Sequence, residues 1–465
     1  MQKTQRSELL GTSPMRTLVP KISIPVMVSM LVQALYNVVD SIFVSRYNPM
    51  ALTAVSLAYP IQMLMIALSV GMGTGISSLM SRKLGERNPE KARKAAWNGM
   101  IIELCSACLF LIIGLFLARP AMHLLVSQNL ENAEDIRSMS ITYLRIVTCF
   151  CPGLFMSILF ERMLQSTGNT VLSMITQLTG AVTNIVLDPI LIFGYLGAPQ
   201  LGIAGAAIAT VIGQWCSALL GFVLNQKRNT ELVLRVKDFQ PSAQLLRDIL
   251  AVGFPSTIMQ AIGSVMNVGM NSLLSTYPEG NAAVNVLNVY FKLQSFVFMP
   301  VFGLSTGIIA IVGYNFGARN RKRVYEAIRV GLTYAMCIMI VGMMIFLAFP
   351  TQLMSLFESS GAGEIAQATA RIGVSALRII SLSFLMAAVG IILSSVYQAV
   401  GKGTYSLIMS LCRQLLVLLP VAWLFTRLFM DVHLIWWAFP ISETVSCVIC
   451  LFLFRKLNRD MLSKL

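Results

Sequence analysis

Charge is what this sequence has least of. Only 12% of its 465 residues are Asp, Glu, Lys or Arg, against roughly 25% in soluble domains, so a water-soluble fold is excluded. Histidine is scarcer still. His123 and His433 are the only two, and both fall in or near connections, which disfavours a membrane enzyme built on histidine acid–base chemistry. No Walker A sequence occurs, so ATP does not drive this protein by itself. A second CxxC to match Cys447-Val448-Ile449-Cys450 is also missing. The nine cysteines therefore read as small hydrophobes inside apolar runs rather than as metal or redox ligands. Strict apolar/polar alternation is absent, which excludes an outer-membrane barrel. No cleavable signal is expected, because a polar arm of about 20 residues leads into a first span too long for an h-region.

What is present is apolar sequence: 56% hydrophobic residues and a mean hydropathy of +0.74. Runs of about 20 such residues recur along the whole chain, the length a helix needs to cross a hydrocarbon core. The expected fold is an all-α polytopic membrane protein with twelve spans, at roughly 22–45, 53–80, 97–118, 139–166, 171–195, 202–225, 249–275, 283–315, 330–350, 372–399, 405–428 and 434–454. The net charge of +15 is explained by where the basic residues fall, and implies no nucleic-acid partner. Lys3, Arg6, Arg16 and Lys21 precede the first span. Further clusters stand at Arg82 to Lys94, Lys227 to Lys237, Arg319 to Arg323 and Arg455 to Arg459, whereas the alternate connections at Glu131 to Asp135 and Glu358 to Glu364 are acidic or neutral. The positive-inside rule then puts both termini in the cytoplasm.

The second half repeats the first. Gly71-Met72-Gly73-Thr74-Gly75-Ile76 and Leu84-Gly85-Glu86-Arg87-Asn88 match Gly303-Leu304-Ser305-Thr306-Gly307-Ile308 and Phe316-Gly317-Ala318-Arg319-Asn320 at one constant offset. Pro25 pairs with Pro255, Asn37 with Asn267, and Gln165-Ser166-Thr167-Gly168 with Gln398-Ala399-Val400-Gly401. Six spans per unit is an even number, so the copies are parallel about an axis along the membrane normal, with a cavity expected where they face each other. The expected organisation is an N-terminal arm at 1–21, an N-lobe at 22–225, a cytoplasmic linker at 226–248, a C-lobe at 249–454 and a tail at 455–465, with alternating access by rocking of the lobes.

Asp40 is the residue that needs a reason, because an ionised carboxylate inside a span costs roughly 2.5–3.5 kcal/mol even on lenient scales. Helical spacing lines up Gln33, Asn37 and Asp40, with Tyr36 beside them. The fifth span carries a second polar stripe, Gln177, Gly180 or Ala181, Asn184 and Asp188, with Pro189 next. Both acids fall about 17 to 18 residues into spans that run the same way, roughly 26 Å deep. Thr210 on the returning sixth span reaches the same layer. Asp40, Asn184, Asp188 and Thr210 offer hard oxygens for Na+, or two carboxylates that can share one proton; an interhelical hydrogen-bond cluster is the plainer reading. The second copy has lost the acids: Asp40 aligns near Met270 or Asn271, and Asp188-Pro189 with Leu419-Pro420. Coupling chemistry is thus expected in the N-lobe alone.

Other polar residues inside spans are Glu161 and Arg162, read as an ion pair or as snorkelling side chains, Lys292, placed between snorkelling and lining the cavity, and Arg413 with Glu443, a candidate structural pair. Gly303-x-Ser305-x-Gly307 has the form of a nucleophile elbow. Its repeat copy carries Gly73 at the serine position, so close helix packing explains both copies. Neither is Gly71-x-Gly73-x-Gly75 a phosphate loop, since no Lys-Ser/Thr follows it.

Taken together, these stretches resemble the multidrug and toxic compound extrusion (MATE) family along the whole chain. The residues that carry the resemblance are Pro25 through Ala34-Leu35-Tyr36-Asn37-Val38-Val39-Asp40, Asn184-Ile185-Val186-Leu187-Asp188-Pro189, Gly205-Ala206-Ala207-Ile208-Ala209-Thr210, Tyr314-Asn315-Phe316-Gly317-Ala318, Trp436-Trp437-Ala438-Phe439-Pro440 and Ser442-Glu443. Glu161-Arg162-Met163-Leu164-Gln165 looks most similar to the bacterial multidrug exporters near the DNA-damage-inducible branch. The resemblance implies export of organic cations or amphiphilic drugs against H+ or Na+, with Asp40, Asn184, Asp188 and Thr210 as the cation-coupling set and no other cofactor. It also implies a bend at Pro25. The sequence departs from the branch with acids in the seventh and tenth spans: Gln260 and the apolar run Met386 to Ile392 stand there. A monomer in the bacterial cytoplasmic membrane is expected. Substrate contacts are expected from Gln33, Tyr36, Asn37, Gln177, Met259, Asn267, Tyr290 and Lys292, where Met and aromatic side chains offer adaptable apolar and cation–π surfaces. A lipid-linked oligosaccharide flippase of similar fold is the alternative; it would favour a larger and more cationic cavity.

Overall fold

A computed structural model describes residues 7–126, 132–357, 364–429 and 431–465. Lys3, Arg6, Glu131 and Glu358 lie outside the described residues. Ten helices are long and apolar enough to cross a membrane: Met15–Tyr47, Pro49–Gly85, Pro89–Leu125, Thr170–Phe193, Ile203–Arg228, Ala243–Leu274, Gly280–Gly317, Arg321–Ala348, Gly403–Leu428 and Ile435–Lys464. Two bent pairs, Ala133–Cys149 with Pro152–Ser166 and Ile365–Ser381 with Phe384–Ala399, bring the number to twelve when each pair is counted as one span. In chain order these are the first to twelfth spans. The described residues contain no strand.

The first span starts at Met15 rather than near residue 22, and it runs unbroken through Pro20 and Pro25. The fourth and tenth spans, expected as single helices, each break. The bends are 45° at Phe150–Cys151 and 51° at Leu382–Ser383, equivalent places in the two copies. In the fourth, Pro152 opens the second segment, and a proline disfavours helical geometry in the residue before it. The tenth has no proline. There Ser383 donates its hydroxyl to the carbonyl of Ile380 at 2.6 Å and closes the preceding turn. An unbroken apolar run hides both bends.

The sequence repeat is also a backbone repeat. Asn88 accepts from the Lys91 N–H at the start of the third span, and its counterpart Asn320 accepts from the Arg323 N–H at the start of the ninth. One residue earlier, Arg87 and Arg319 both take left-handed geometry, with φ of 56° and 54°.

The lobes meet along the second and seventh spans and along the first and eighth. Small residues make this approach close enough for backbones to touch. A Cβ on Gly75 would strike the carbonyl of Ile249, and one on Gly303 would meet the Met27 backbone. At the tip of the second span, Gly85 lies against the Tyr314 carbonyl, while Gly317 lies against the Arg82 carbonyl. Ser78 donates to the carbonyls of Gln398 and Ala399, and Asn315 Nδ2 donates to Leu10 at 2.9 Å. The contacts of Gly85, Gly317, Ser78 and Asn315 lie towards the end that carries the basic clusters. Ser305 faces Ser395 at 2.6 Å and belongs to a packed helix contact, as the repeat argument expected.

Candidate functional site

The N-lobe holds a cavity of about 230 Å³ between the first, second, fourth, fifth and sixth spans. Gln33, Tyr36, Asn37, Gln177, Asn184 and Thr210 line it. A deeper layer is built by close helix packing. The fifth and sixth spans cross at Gly180 and Gly213, where a Cβ on Gly213 would sit 2.7 Å from the Gly180 carbonyl. That crossing sets Asn184 beside Thr210, and the first span lies along the fifth and brings Asp40 to Asp188.

Asp188 is fully buried, Asn184 nearly so and Asp40 partly exposed. The two carboxyl groups come within hydrogen-bonding reach of each other, an arrangement that needs a proton or a cation between them. Asn184 Nδ2 donates to Asp188 Oδ1 at 3.3 Å and to Thr210 Oγ1 at 3.4 Å. Asp40 Oδ1, Asp188 Oδ2 and Asn184 Oδ1 are all buried without a hydrogen-bond partner. Buried acceptors left unpaired are expensive, and three in one place call for a positive charge. Pro189 adds to this by removing the N–H that would have bonded the Ile185 carbonyl. Tyr36 and Tyr143 stand near both acids, and Tyr143 donates to Gln62 Oε1 at 3.4 Å. No group of three or more His, Cys, Asp or Glu gathers among the described residues, so such a site would depend on amide and hydroxyl oxygens beside the two acids.

The family model MatE matches residues 25–190 and again residues 255–424. This chain belongs to the MATE family of transporters. It is similar to the multidrug export protein MepA of Staphylococcus haemolyticus, 27% identical over 440 residues, spanning 94% of this chain and 93% of that protein. A MATE solved in complex with MaL6 superposes with a TM-score of 0.90 at 28% identity, over 100% of both chains. The outward-facing conformation of a multidrug resistance MATE transporter matches with a TM-score of 0.89 at 28% identity, again over 100% of both. As a MATE transporter the chain is no enzyme.

Below its acid pair this MATE transporter carries a second buried polar group that the sequence only half disclosed. Glu161 and Arg162 are both buried, so neither snorkels, and they do not bond each other. Neighbours in sequence point to different sides of a helix. Gln177 donates to Glu161 Oε2 at 2.6 Å, and Arg162 donates to Gln165 Oε1 at 2.8 Å. Glu103, from the third span, is the third charged member; it is 0% exposed, and among the described residues its hydrogen-bond donor is Ser69 at 3.2 Å. The same rule that marks Asp40 would have marked Glu103, but it falls close to the expected start of its span and so reads as interfacial. Arg162 is the cation acting on both glutamates. Replacing it by Met should therefore cost about 3–5 kcal/mol, the penalty for leaving buried charge uncompensated. Thermal unfolding of the purified variant in detergent checks this; an unchanged midpoint would show that the glutamates do not depend on Arg162.

The expected cavity residues of the C-lobe are not brought to the acid pair. Tyr290 lines a separate C-lobe cavity. Met259 accepts from Ser394 of the tenth span at 3.9 Å, and Asn267 accepts from Asn271 one turn along its own helix at 2.8 Å. Lys292 is exposed, with its ammonium 5.8 Å from the centre of the Phe357 ring, and does not line either cavity. Each lobe thus has its own cavity, in addition to any space between the lobes.

Proposed function

We propose that this transporter is a secondary active multidrug exporter, antiporting organic cations or amphiphilic drugs against H+ or Na+ by alternating access. One observation supports the coupling site: Asp40, Asp188 and Asn184 each keep a buried, unpartnered oxygen, and Asn184 bonds both Asp188 and Thr210. Desolvated acceptors at that depth favour either a proton shared between the carboxylates or a Na+ held by all four residues. The cation and the drug are expected to compete, because Asn184 and Thr210 serve both the acid layer and the wall of the drug cavity. Multidrug export by the similar MepA proteins supports the substrate class.

The positive-inside rule makes the basic end cytoplasmic, with both termini on that side. Closure of the lobes at that end then corresponds to an outward-facing state. Drug enters from the cytoplasm when the lobes part there, and cation binding at Asp40 and Asp188 drives its release outside. Pro25 lies on the first span between the cross-lobe contact at Ser23–Gly307 and the acid, where loss of one helical hydrogen bond eases bending. The flippase alternative draws no support from Lys292, which stands over Phe357.

Proteoliposomes loaded with ethidium separate the two ions. Dye movement under an imposed pH gradient alone assigns H+, and movement under an imposed Na+ gradient alone assigns Na+. Movement under neither overturns the antiport reading. In the same assay Pro25→Ala is expected to keep dye binding and slow turnover, and full-rate transport would remove the hinge.

A further inference from the structure

The C-lobe cavity, about 270 Å³ between the seventh, eighth, tenth, eleventh and twelfth spans, is the repeat counterpart of the N-lobe cavity, yet its chemistry differs. Arg413 on the eleventh span and Glu443 on the twelfth both line it, with Nη1 and Oε1 3.6 Å apart. This is too long for a hydrogen bond. Among the described residues neither charged head has a hydrogen-bond partner of its own; the bond from the Ser442 hydroxyl goes to the Arg413 backbone carbonyl. A structural ion pair buried among helices would be expected to close up and satisfy its lone pairs and protons. This one stays apart and opens onto the cavity. Arg413 sits in a π-helical turn, Cys412–Val417, where the helix widens by a residue and re-aims its side chains.

Aromatic side chains line the same cavity. Tyr290 and Phe439 meet edge-on, centroids 5.9 Å apart, and Phe291 and Phe298 extend the surface. One anion-seeking group, one cation-seeking group and a ring-binding face converge on a single space. The geometry points to a second ligand site, in the C-lobe, for aromatic zwitterions: a flat ring against the wall, a carboxylate on Arg413 and an ammonium on Glu443. A guanidinium matches a carboxylate with two parallel hydrogen bonds, and a ligand bearing both charges replaces the loose pair without leaving either head unpaired. A ligand bearing one charge leaves the other head uncompensated.

Equilibrium binding tests this without any ion gradient, so its outcome is independent of the antiport reading. The full chain in lipid nanodiscs is titrated with Nε-dansyl-lysine, which carries both charges, with dansylglycine, which carries only the carboxylate, and with dansylcadaverine, which carries only the ammonium. The double variant Arg413→Met/Glu443→Met removes both charges together, so no lone charge is left buried. It should weaken dansyl-lysine by more than about 10-fold, as loss of a charge-assisted hydrogen bond implies, and change dansylcadaverine by less than about 2-fold, since the N-lobe cavity remains for simple cations. Ser295→Phe, which fills the cavity and keeps the pair, should weaken dansyl-lysine too. Equal affinity of dansyl-lysine for the parent and for both variants overturns the site, as does failure of the parent to prefer dansyl-lysine over dansylglycine. Weakening in the double variant with no effect of Ser295→Phe would also overturn it, because the pair would then act only through the packing of the eleventh and twelfth spans.

Discussion

Asp40→Asn should bring ethidium efflux down to that of cells lacking the protein, in cells that still make and insert it. The substitution preserves shape and hydrogen-bonding capacity and removes only the ability to carry charge or a titratable proton. In the present arrangement Asp40 and Asp188 face each other with unpaired buried oxygens. An amide at position 40 could donate to Asp188, satisfying the pair permanently and leaving nothing for a cation to do. Asp188→Asn should have the same effect. Because the two acids act as one unit, the double variant should be no worse than either single one. Efflux assays on the three variants, with membrane expression checked by blot, measure this. Efflux near the parental level in Asp40→Asn would end the coupling proposal.

Gly85→Leu should produce the second large effect, by a different route. Gly85 and Gly317 are reciprocal contacts, each set against a backbone carbonyl of the other lobe. Neither contact can survive a side chain, and the neighbours are backbone, which cannot swing aside. Overpacking of this kind costs about 1–3 kcal/mol. Spent against only the closed state of the basic end, that penalty shifts the conformational ratio by roughly 5- to 150-fold. In the alternating-access cycle proposed above the contact exists in one state and breaks in the other, so the protein should fold normally and fail to cycle. Ser78→Cys, set against the Gln398 carbonyl in the closed contact, reports the change when labelled by an impermeant maleimide from the basic side. Labelling should rise sharply in the Gly85→Leu background while efflux falls. Unchanged labelling and efflux would mean that the lobes part elsewhere.

Much of this was legible in the sequence because it depends on local rules. The spans follow from the length of apolar runs, and the parallel lobes from the matched motifs around Gly71 and Gly303. The acid pair followed from equal depth on two spans running the same way, since rise per residue is constant along a helix. What local rules do not contain is the crossing of helices. Whether Lys292 reaches a cavity or lies over Phe357 depends on the rotation of the eighth span, which its uniformly apolar surroundings leave unmarked. Glu103 joins Arg162 only because the third span packs on the fourth. The bends in the fourth and tenth spans are invisible in hydropathy, since a kink changes direction and not composition.

The same division runs through both cavities. The sequence by itself determined that only one lobe carries paired carboxylates, because residue identity is all that this requires. Only the tertiary structure decided that each lobe encloses its own cavity and that Arg413 and Glu443 form an ion pair 3.6 Å apart with no hydrogen bond between them. It also decided that Gly71, Gly75, Gly303 and Gly307 of the repeated motif let the two lobes approach closely. Those are distances between helices far apart in the chain, set by how side chains pack where the helices cross, and no periodicity within a single helix encodes them.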